Sequence, residues 1–329
     1  MDPLSDLLAL LRPQGTLSAC LDAGGSWSVR FPEAEDSLKC AALASGGCWL
    51  EVDGERPVRL EAGDCFLLPH GRPFRLASDL CLPPRDAAAA VAGARDGVAT
   101  LGTGGDAFLV SARFALAGPQ AGLLLDLLPP MVHVRGGPND GDGAALHWSI
   151  ERLAEELREP RPGSALVAGH LAHMVLVQAL RRHLNEDVHG PRGGMGWLFA
   201  LADRRLAAAL AALHADPGRR WTLQDLAGLA GMSRSTFALR FRETVGEPPM
   251  DYLARWRMAL AADRLARTTE SVAAVAWSLG YASETAFGTA FKRIMGHSPR
   301  RHGRTRAASP PVVRDRQAHY ASAPGALHT

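Results

Sequence analysis

The chain has 329 residues, of which 47% are hydrophobic and 21% charged, so it is long enough for two folded domains and its composition excludes a disordered protein. The net charge of +2 combines two unlike parts, because residues 1–195 hold 17 Lys and Arg against 24 Asp and Glu, whereas residues 196–306 hold 17 against 9. This asymmetry predicts that only the second part contacts phosphate.

The N-terminus and the cysteines favour a cytoplasmic protein. The chain begins Met1-Asp2-Pro3 without a basic region, and its apolar stretch 7–11 is too short for a signal sequence or a membrane span. All five cysteines lie in the first 81 residues without CxxC or metal-ligand spacing, and their odd number argues against a disulfide framework. We therefore expect no membrane partner.

Residues 26–76 predict a series of short strands, of the kind that forms a sandwich or a small β-barrel. Asp53-Gly54 is a hairpin signal between two of these strands. We place the barrel at about 15–135.

After this region the sequence changes character twice. Residues 86–105, rich in Ala, Gly and Asp, predict an irregular insertion, and 107–116 predicts a further strand. From Ala144 onward, apolar residues recur at helical spacing, and a break at 160–163 separates two helices within 144–184. These helices would form a dimer interface or a lid on the barrel.

Composition also places the remaining boundaries. Residues 185–196 hold four glycines and a proline and predict a linker, so the first domain is 1–184. The second domain is expected at 197–304. Residues 305–329 lack apolar periodicity and predict a mobile tail.

One short pattern occurs twice in the basic part, fifty residues apart. Each copy has a serine cap, two phenylalanines at i and i+4, a glycine and a proline, and an earlier alanine and glycine mark the end of a preceding helix. The pattern predicts two helix-turn-helix units, at about 222–244 and 271–294. Its residues are Ser233, Phe237, Phe241, Gly246 and Pro249, then Ser283, Phe287, Phe291, Gly296 and Pro299.

Local signals define the ends of these helices. Thr222-x-x-Asp225 predicts a capping box at the start of the first unit, and Ser271 predicts the cap of the second. Pro249 precedes a long helix, 250–267, that joins the two units. Because the phenylalanine pairs face inward, the outer face of each second helix is free to enter a major groove.

This outer face supplies the candidate DNA contacts. A phenylalanine pair alone is typical of a core and an arginine cluster alone is typical of a solvated surface, but the duplicated unit in a basic domain favours DNA binding. The candidates are Arg234, Ser235, Ala238, Leu239 and Arg242 in the first unit and Glu284, Thr285, Gly288, Thr289, Lys292 and Arg293 in the second, with Arg300 and Arg301 as phosphate contacts.

Residues from about 203 to 303 resemble the DNA-binding domain of the AraC/XylS family. The resemblance rests on GMSRSTFALRFRETVGEPP (231–249), YLARWRMALAADRLA (252–266) and GYASETAFGTAFKRIMGHSP (280–299). It implies that each monomer uses both helix-turn-helix units on double-stranded promoter DNA and that the protein usually activates transcription beside RNA polymerase.

Two positions depart from the family pattern. Many members have a basic or amide side chain where this chain has Leu239 and Thr289. Neither residue can make a bidentate guanine contact, so we expect Leu239 to pack on a thymine methyl and the remaining readout to come from other residues. Those are Arg234, Ser235, Glu284 and Thr285.

Residues 63–74 resemble the second cupin motif, a glycine, five residues, Pro-x-Gly and two further residues before a metal-binding histidine. Phe74 stands at the position of that histidine, and no His-x-His followed by Glu occurs within 38–54. A cupin metal centre needs about three imidazoles and a carboxylate, so we expect no catalytic metal, no cofactor and no enzymatic activity. The resemblance implies a domain that binds an effector or dimerises.

Two further sets of residues are candidates for sensing an effector. Trp27, Trp49, Arg72, Phe74 and Arg75 would line a pocket inside the barrel, although aromatic residues on strands are more often plain core. Cys20 and Cys81 are candidate redox residues, because some regulators of the resembled sub-group sense oxidants with thiols; small buried hydrophobic residues are the alternative.

The sequence therefore predicts an α+β protein of two domains, a cupin-like β-barrel followed by helices and an all-α domain with two helix-turn-helix motifs joined by a long helix. The function expected is a transcriptional regulator, an activator that responds to a small-molecule or redox effector and forms a homodimer. The alternatives are a metal-dependent cupin enzyme fused to a DNA-binding domain, an alkyl-transfer repair protein, a thiol-based oxidant sensor and a DNA binder without sequence preference.

Overall fold

The computed structural model describes residues 2–11, 13–17, 20–32, 37–115, 125, 128–136, 141–187, 200–201 and 203–308. The chain divides into two compact units, Met1–Trp256 and Arg257–Thr329. The expected linker, except for its first three residues, and the expected tail beyond residue 308 lie outside the described residues. Residues 185–187 and 305–308 are helical.

The strands of the described residues all lie in the first part of the chain. They are β1 (Gln14–Leu17), β2 (Cys20–Gly24), β3 (Ser28–Phe31), β4 (Ser37–Ser45), β5 (Gly47–Val52), β6 (Val58–Glu61), β7 (Cys65–Leu68), β8 (Phe74–Ala77), β9 (Arg85–Asp86), β10 (Val98–Gly102), β11 (Ala107–Ala115) and β12 (Val132–Val134).

The helices of the described residues flank and follow these strands. They are α1 (Pro3–Leu11), α2 (Ala87–Val91), α3 (Gly141–Arg158), α4 (Ser164–Asp187), α5 (Arg204–Ala215), α6 (Leu223–Leu229), α7 (Arg234–Val245), α8 (Pro249–Arg267), α9 (Val272–Ser278), α10 (Glu284–Met295) and α11 (Pro299–Ala308). Among them, none combines the length and the hydropathy that a transmembrane helix requires.

The strands form two sheets whose inner faces pack together. One sheet has the order β10-β2-β11-β4-β7-β12, with β1 also paired to β11, and the other has the order β6-β5-β8-β3-β9. Leu43 and Leu109 of the first sheet share a buried cluster with Leu50 and Leu76 of the second. The predicted α+β class, a cupin-like β-rich domain followed by a helical domain, is confirmed.

Strand β4 is buried along most of its length because both faces of its sheet are covered. Ala41 and Leu43 face the core between the sheets. Cys40 and Ala42, which alternate with them, belong to a second cluster that includes Leu146 of α3 and residues of α4. A strand covered on both faces has apolar residues in succession, as residues 40–44 of β4 do.

The prediction of an irregular insertion at 86–105 was wrong. The Asp86 carboxylate accepts hydrogen bonds from the backbone N–H groups of Ala88 and Ala89 and caps helix α2. After this helix, β10 pairs in parallel with β2, and Val98 lies opposite Cys20. The alanine-rich composition therefore belongs to a short capped helix and an edge strand.

The caps predicted for the helix-turn-helix units are confirmed. Thr222 and Asp225 form the reciprocal capping box of α6, and Ser271 caps α9 by accepting the N–H of Ala274 at 3.1 Å. Helices α7 and α10 end at glycines with positive φ, Gly246 at 91° and Gly296 at 78°, which glycine adopts without a Cβ clash.

The capping box of α6 gives a first testable prediction. Thr222→Ala removes the hydroxyl that accepts the Asp225 N–H at 3.1 Å, and we expect the unfolding free energy to fall by about 1 kcal/mol. Urea denaturation followed by circular dichroism measures this change. Gln224→Ala is the matched control, because Gln224 is exposed on the same helix, and it should cost less than about 0.5 kcal/mol. Equal losses in the two variants would contradict the cap.

Candidate functional site

Helix α7 presents one face to solvent and buries the other. Phe237 and Phe241 are fully buried one turn apart, with ring centroids 5.6 Å apart. Ser233 caps the helix by accepting the Thr236 N–H at 3.2 Å. The opposite face is formed by the predicted contact residues, which are exposed except for the half-buried Ala238. They are Arg234, Ser235, Ala238, Leu239 and Arg242.

The chemistry of this face is cationic at two points and apolar between them. Arg234 and Arg242 make no ion pair within the part of the chain that the structure describes. Leu239 is 60% exposed, so its side chain is available to an apolar partner such as a thymine methyl. Arg240, which is exposed on the same helix but is not one of the predicted contact residues, instead forms an ion pair with Asp203 at 2.7 Å.

Helix α10 has the same architecture with different surface chemistry. Phe287 and Phe291 are fully buried with ring centroids 5.6 Å apart, and Ser283 accepts the Ala286 N–H at 3.1 Å. Thr285, Thr289, Lys292 and Arg293 are exposed, and Glu284 and Gly288 are half-buried. Each helix-turn-helix unit therefore has an exposed face on its second helix, α7 in the first and α10 in the second.

Hydrogen bonds within the second unit restrict what its surface residues can offer to a base. The Thr289 hydroxyl donates to the Thr285 carbonyl oxygen at 3.0 Å, so that hydroxyl is available as an acceptor. The Glu284 carboxylate lies 3.1 Å from the Arg300 guanidinium. Only one carboxylate oxygen makes this exposed contact, so the other oxygen of Glu284 can still accept a hydrogen bond from a cytosine amine.

A cavity of about 230 Å³ lies among the inner faces of the two sheets. Its walls are mainly apolar and its polar groups are Lys39, Ser111 and Arg113. The Lys39 ammonium donates to the Ser111 hydroxyl oxygen at 2.9 Å. Burial, with a smaller effect of the nearby Arg113, lowers the pKa of Lys39 to about 8. The walls are Leu21, Phe31, Pro32, Ala41, Phe66, Phe74, Leu76, Ala87, Ala88, Val91 and Leu109.

The structure does not bring the five residues predicted for an effector pocket together. Phe74 lines this cavity, whereas Trp27 lines a second cavity of about 430 Å³. Arg75 follows Phe74 and lies on the other face of β8, where it donates to the Ser28 hydroxyl and the Glu51 carboxylate.

The other two predicted pocket residues lie outside the cavity. Trp49 alternates with the buried residues of β5, and the Arg59 guanidinium lies 5.8 Å from its ring centroid. Arg72 donates to the Asp53 carbonyl oxygen at the surface. Sequence reasoning missed Lys39, Ser111 and Arg113, although Lys39 is in phase with the inward-facing Ala41.

The cysteines are free thiols of different exposure. Cys20 is buried and Cys81 is exposed. Burial raises the pKa of the Cys20 thiol to about 11, which disfavours the reactive thiolate. Cys40 and Cys65 lie in the core between β-sheet and helices with their Sγ atoms 3.9 Å apart.

Phe74 occupies the place in the cupin motif where a metal-binding histidine would stand. Its ring stacks on Phe31 with centroids 4.6 Å apart and meets Phe66 edge-on at 5.8 Å. In the described part of the chain, no three His, Cys, Asp or Glu side chains cluster in a way that could hold a metal ion. The aromatic packing makes this end of the barrel apolar.

Comparison with known proteins identifies both regions. Residues 2–185 match a family described as Cupin, and residues 226–305 match one described as Helix-turn-helix domain. A Streptomyces lividans protein described as an AraC-like transcription regulator is 46% identical over 301 residues, 91% of this chain and 97% of that protein. A Streptomyces antibioticus protein of the same description is 45% identical over 300 residues, with the same coverage.

A more distant relative has a more specific description. The "RCS-specific HTH-type transcriptional activator RclR" of Escherichia coli is 30% identical over 304 residues, which cover 91% of this chain and 96% of that protein. The similarity thus extends over both the β-rich and the helical regions.

Proposed function

Because the chain belongs to the AraC/XylS family of transcriptional regulators, with a cupin domain before its helix-turn-helix domain, we propose that α7 and α10 read two different half-sites of one promoter sequence. The protein is a DNA-binding transcriptional regulator. Our proposal concerns the residues that give it sequence specificity, its mode of action and its effector domain.

The contrast between the two exposed faces supports the proposal best. The α7 face offers the guanidinium groups of Arg234 and Arg242 beside the exposed Leu239, a combination suited to guanine and thymine. The α10 face offers the hydroxyl groups of Thr285 and Thr289 and more peripheral cations. Two faces of such different chemistry recognise different bases, so the complete site is asymmetric and the protein binds it in one direction.

Activation beside RNA polymerase is the proposed outcome of binding. Support comes from the family and from the relative that is named a transcriptional activator. The N-terminal domain is proposed to sense an effector and, through α3 and α4, to form a homodimer. Exposed apolar side chains on these helices, Trp148, Leu166 and Met174, support that dimer contact.

A sensory rather than catalytic cupin domain is also proposed. Phe74 at the expected metal-ligand position supports this view. Elemental analysis of the full-length protein tests it, and stoichiometric iron, manganese or zinc would contradict it. An oxidant effector acting on Cys20 is disfavoured, because burial raises the pKa of that thiol to about 11.

The variant Arg234→Ala tests the groove assignment. We expect the affinity for the preferred site to fall by about 5- to 150-fold, which corresponds to about 1 to 3 kcal/mol, because a bidentate guanine contact is lost. The preferred site is first obtained by selection from random duplexes. Fluorescence anisotropy at one fixed salt concentration then compares that duplex with a scrambled one.

Arg240→Ala is the matched control for this experiment. It removes the same charge from the same helix, but Arg240 is held in an ion pair with Asp203 and is not one of the predicted contact residues. Its affinity for the preferred site should stay within about twofold of the wild type. An Arg234→Ala protein that keeps wild-type affinity and specificity would contradict the assignment of the α7 face.

A further inference from the structure

The C-terminal end of α8 is joined to α9 by a polar side chain that is not one of the predicted DNA contacts. Arg264, in the last turn of α8, donates from Nε to one carboxylate oxygen of Glu270 at 3.1 Å and from a terminal nitrogen to the other oxygen. Its second terminal nitrogen donates to the Ser278 hydroxyl oxygen at 2.6 Å. One guanidinium therefore contacts two residues that are eight positions apart.

These two contacts lie at the two ends of α9. Glu270 directly precedes Ser271, the residue that caps the helix, and Ser278 is its last residue. A single contact would allow α9 to pivot on α8, whereas contacts at both ends fix its direction. The guanidinium suits this role because its N–H groups are held in a rigid plane.

Neighbouring hydrogen bonds hold both partners of Arg264 in place. The Ser278 hydroxyl donates to the Val275 carbonyl oxygen at 2.9 Å, so its own oxygen accepts from Arg264. The Glu270 backbone N–H donates to the Thr268 hydroxyl at 3.2 Å. The hydrogen bonds from Arg264 lower the pKa of the Glu270 carboxyl, which keeps that carboxylate ionised.

The direction of α9 determines that of α10, the helix proposed to read DNA. Gly280 has a φ of 81° in the turn between the two helices, and the Tyr281 N–H donates to the Ala276 carbonyl oxygen at 3.1 Å. Phe287 of α10 is buried in one cluster with Val275 and Ala276 of α9. A change in the direction of α9 therefore also turns α10.

Apolar packing does not by itself set this direction. The same cluster includes Leu265 of α8, but hydrophobic contact is non-directional, whereas hydrogen bonds require defined positions of donor and acceptor. The side chains of Arg264 and Glu270 are 31% and 35% exposed. An ion pair of this exposure contributes measurably when it is bidentate or belongs to a network, and the contacts of Arg264 meet both conditions.

The first helix-turn-helix unit is joined to its preceding helix in another way. Trp221 stands directly before the cap Thr222, at the place where Glu270 precedes Ser271 in the second unit. Trp221 is buried, and its Nε1 donates to the Asp216 carbonyl oxygen at 2.8 Å. The arginine contacts are thus a feature of the second unit that the repeated pattern does not explain.

We propose that Arg264 is a positioning residue for DNA recognition, which through Glu270 and Ser278 fixes the direction of α9 and thereby the place where α10 enters the major groove. This inference rests on the proposed function, in which α7 and α10 read two half-sites of one sequence. A fixed junction between α8 and α9 requires one spacing of those half-sites. A loosened junction allows more than one.

The test compares duplexes that differ only in the spacing of the half-sites. Footprinting of full-length protein on the selected duplex locates the half-sites, and one base pair is then added or removed between them. One base pair turns a half-site by about 34° and shifts it by about 3.4 Å. We expect the wild type to bind the altered duplexes about tenfold or more weakly than the selected one, and Arg264→Met less than about threefold more weakly.

Three further variants separate position from charge. Arg267→Met is the matched control, because it removes the same charge from the same turn of α8, where Arg267 lies 3.9 Å from Asp263 of that helix. It should keep the wild-type spacing dependence. Arg264→Lys keeps the charge without the planar fork and should resemble Arg264→Met. Ser278→Ala removes one contact without any change of charge and should also reduce the spacing dependence.

Two results would overturn the positioning role. One is a wild-type spacing dependence in Arg264→Met. The other is an equal weakening of all the duplexes with a smaller dependence on salt, because that result identifies Arg264 as a direct phosphate contact. Hydrogen exchange of α10 shows whether each variant is folded. If Arg264→Met is unfolded, an unchanged spacing dependence in Arg264→Lys and Ser278→Ala overturns the role.

Failure of the proposed function gives a different result. A wild type that binds the altered duplexes as tightly as the selected one does not read two half-sites at a fixed spacing, which contradicts the proposed function and the positioning role together. A wild-type spacing dependence that persists in every Arg264 and Ser278 variant removes only the positioning role.

Discussion

Phe291→Ala is expected to lower the free energy of unfolding of the unit Arg257–Thr329 by about 3 to 5 kcal/mol, the largest effect that we expect from one substitution. Phe291 is completely buried. Its ring lies 5.6 Å from Phe287 and 5.7 Å from His302, measured between centroids. Truncation to alanine leaves a cavity among aromatic rings that a small helical unit cannot easily fill.

Hydrogen exchange and circular dichroism of the full chain measure this effect. Exchange protection of α10 should fall before that of the β-sheets, because the lost contacts lie within one unit. Trp277→Ala is the matched control, since Trp277 is 64% exposed in the same unit and its truncation should change stability by less than about 0.5 kcal/mol. A Phe291→Ala protein as stable as this control would contradict the core assignment of the phenylalanine pair.

Local signals explain why the helical part was predictable from the sequence. A serine cap, an inward aromatic pair and a terminal glycine act within one helix, so Ser233 and Gly246 define α7 without information from distant residues. In the same way, Ser283 and Gly296 define the two ends of α10. Each outer face then follows from helical geometry alone.

The cavity could not be predicted in the same way, because its polar residues are distant in sequence. Lys39 and Arg113 are opposite each other only through the β4–β11 register, which the sequence does not reveal. Since both faces of β4 are buried, alternation does not single out Lys39 as an inward charge. The residues predicted for the pocket lie apart because successive side chains of a strand point to opposite faces of its sheet. Trp49 of β5 and Arg75 of β8 therefore lie outside the cavity.

The second large effect that we expect is a loss of stability of the compact unit Met1–Trp256 in acid. Burial lowers the pKa of His214 from 6.5 to about 4, so the unfolded chain takes up a proton at a higher pH than the folded protein does. The stabilisation from neutral His214 is therefore complete above pH 6.5. It is lost as the pH falls toward 4, and the total loss is about 3 kcal/mol.

The surroundings of His214 explain the direction of this shift. Its ring stacks on Trp256 with centroids 4.1 Å apart, and its Nε2 lies 2.6 Å from the Tyr252 hydroxyl. The Asp6 carboxylate of α1 is 3.5 Å from Nδ1 and would favour the charged ring. Burial nevertheless outweighs this attraction, because it is the cause of the lowered pKa.

Urea denaturation at pH 7.5 and at pH 4.5 measures the effect in the wild type and in His214→Gln. Because carboxylates also titrate in this range, the informative quantity is the difference between the two proteins in their loss of stability on acidification. His214→Gln should be less stable than the wild type at pH 7.5 and should lose about 2 to 3 kcal/mol less on acidification. His170→Gln, which replaces an exposed histidine of α4, should show the wild-type loss. If His214→Gln and His170→Gln lose stability equally on acidification, the buried neutral histidine is not the source of the acid sensitivity.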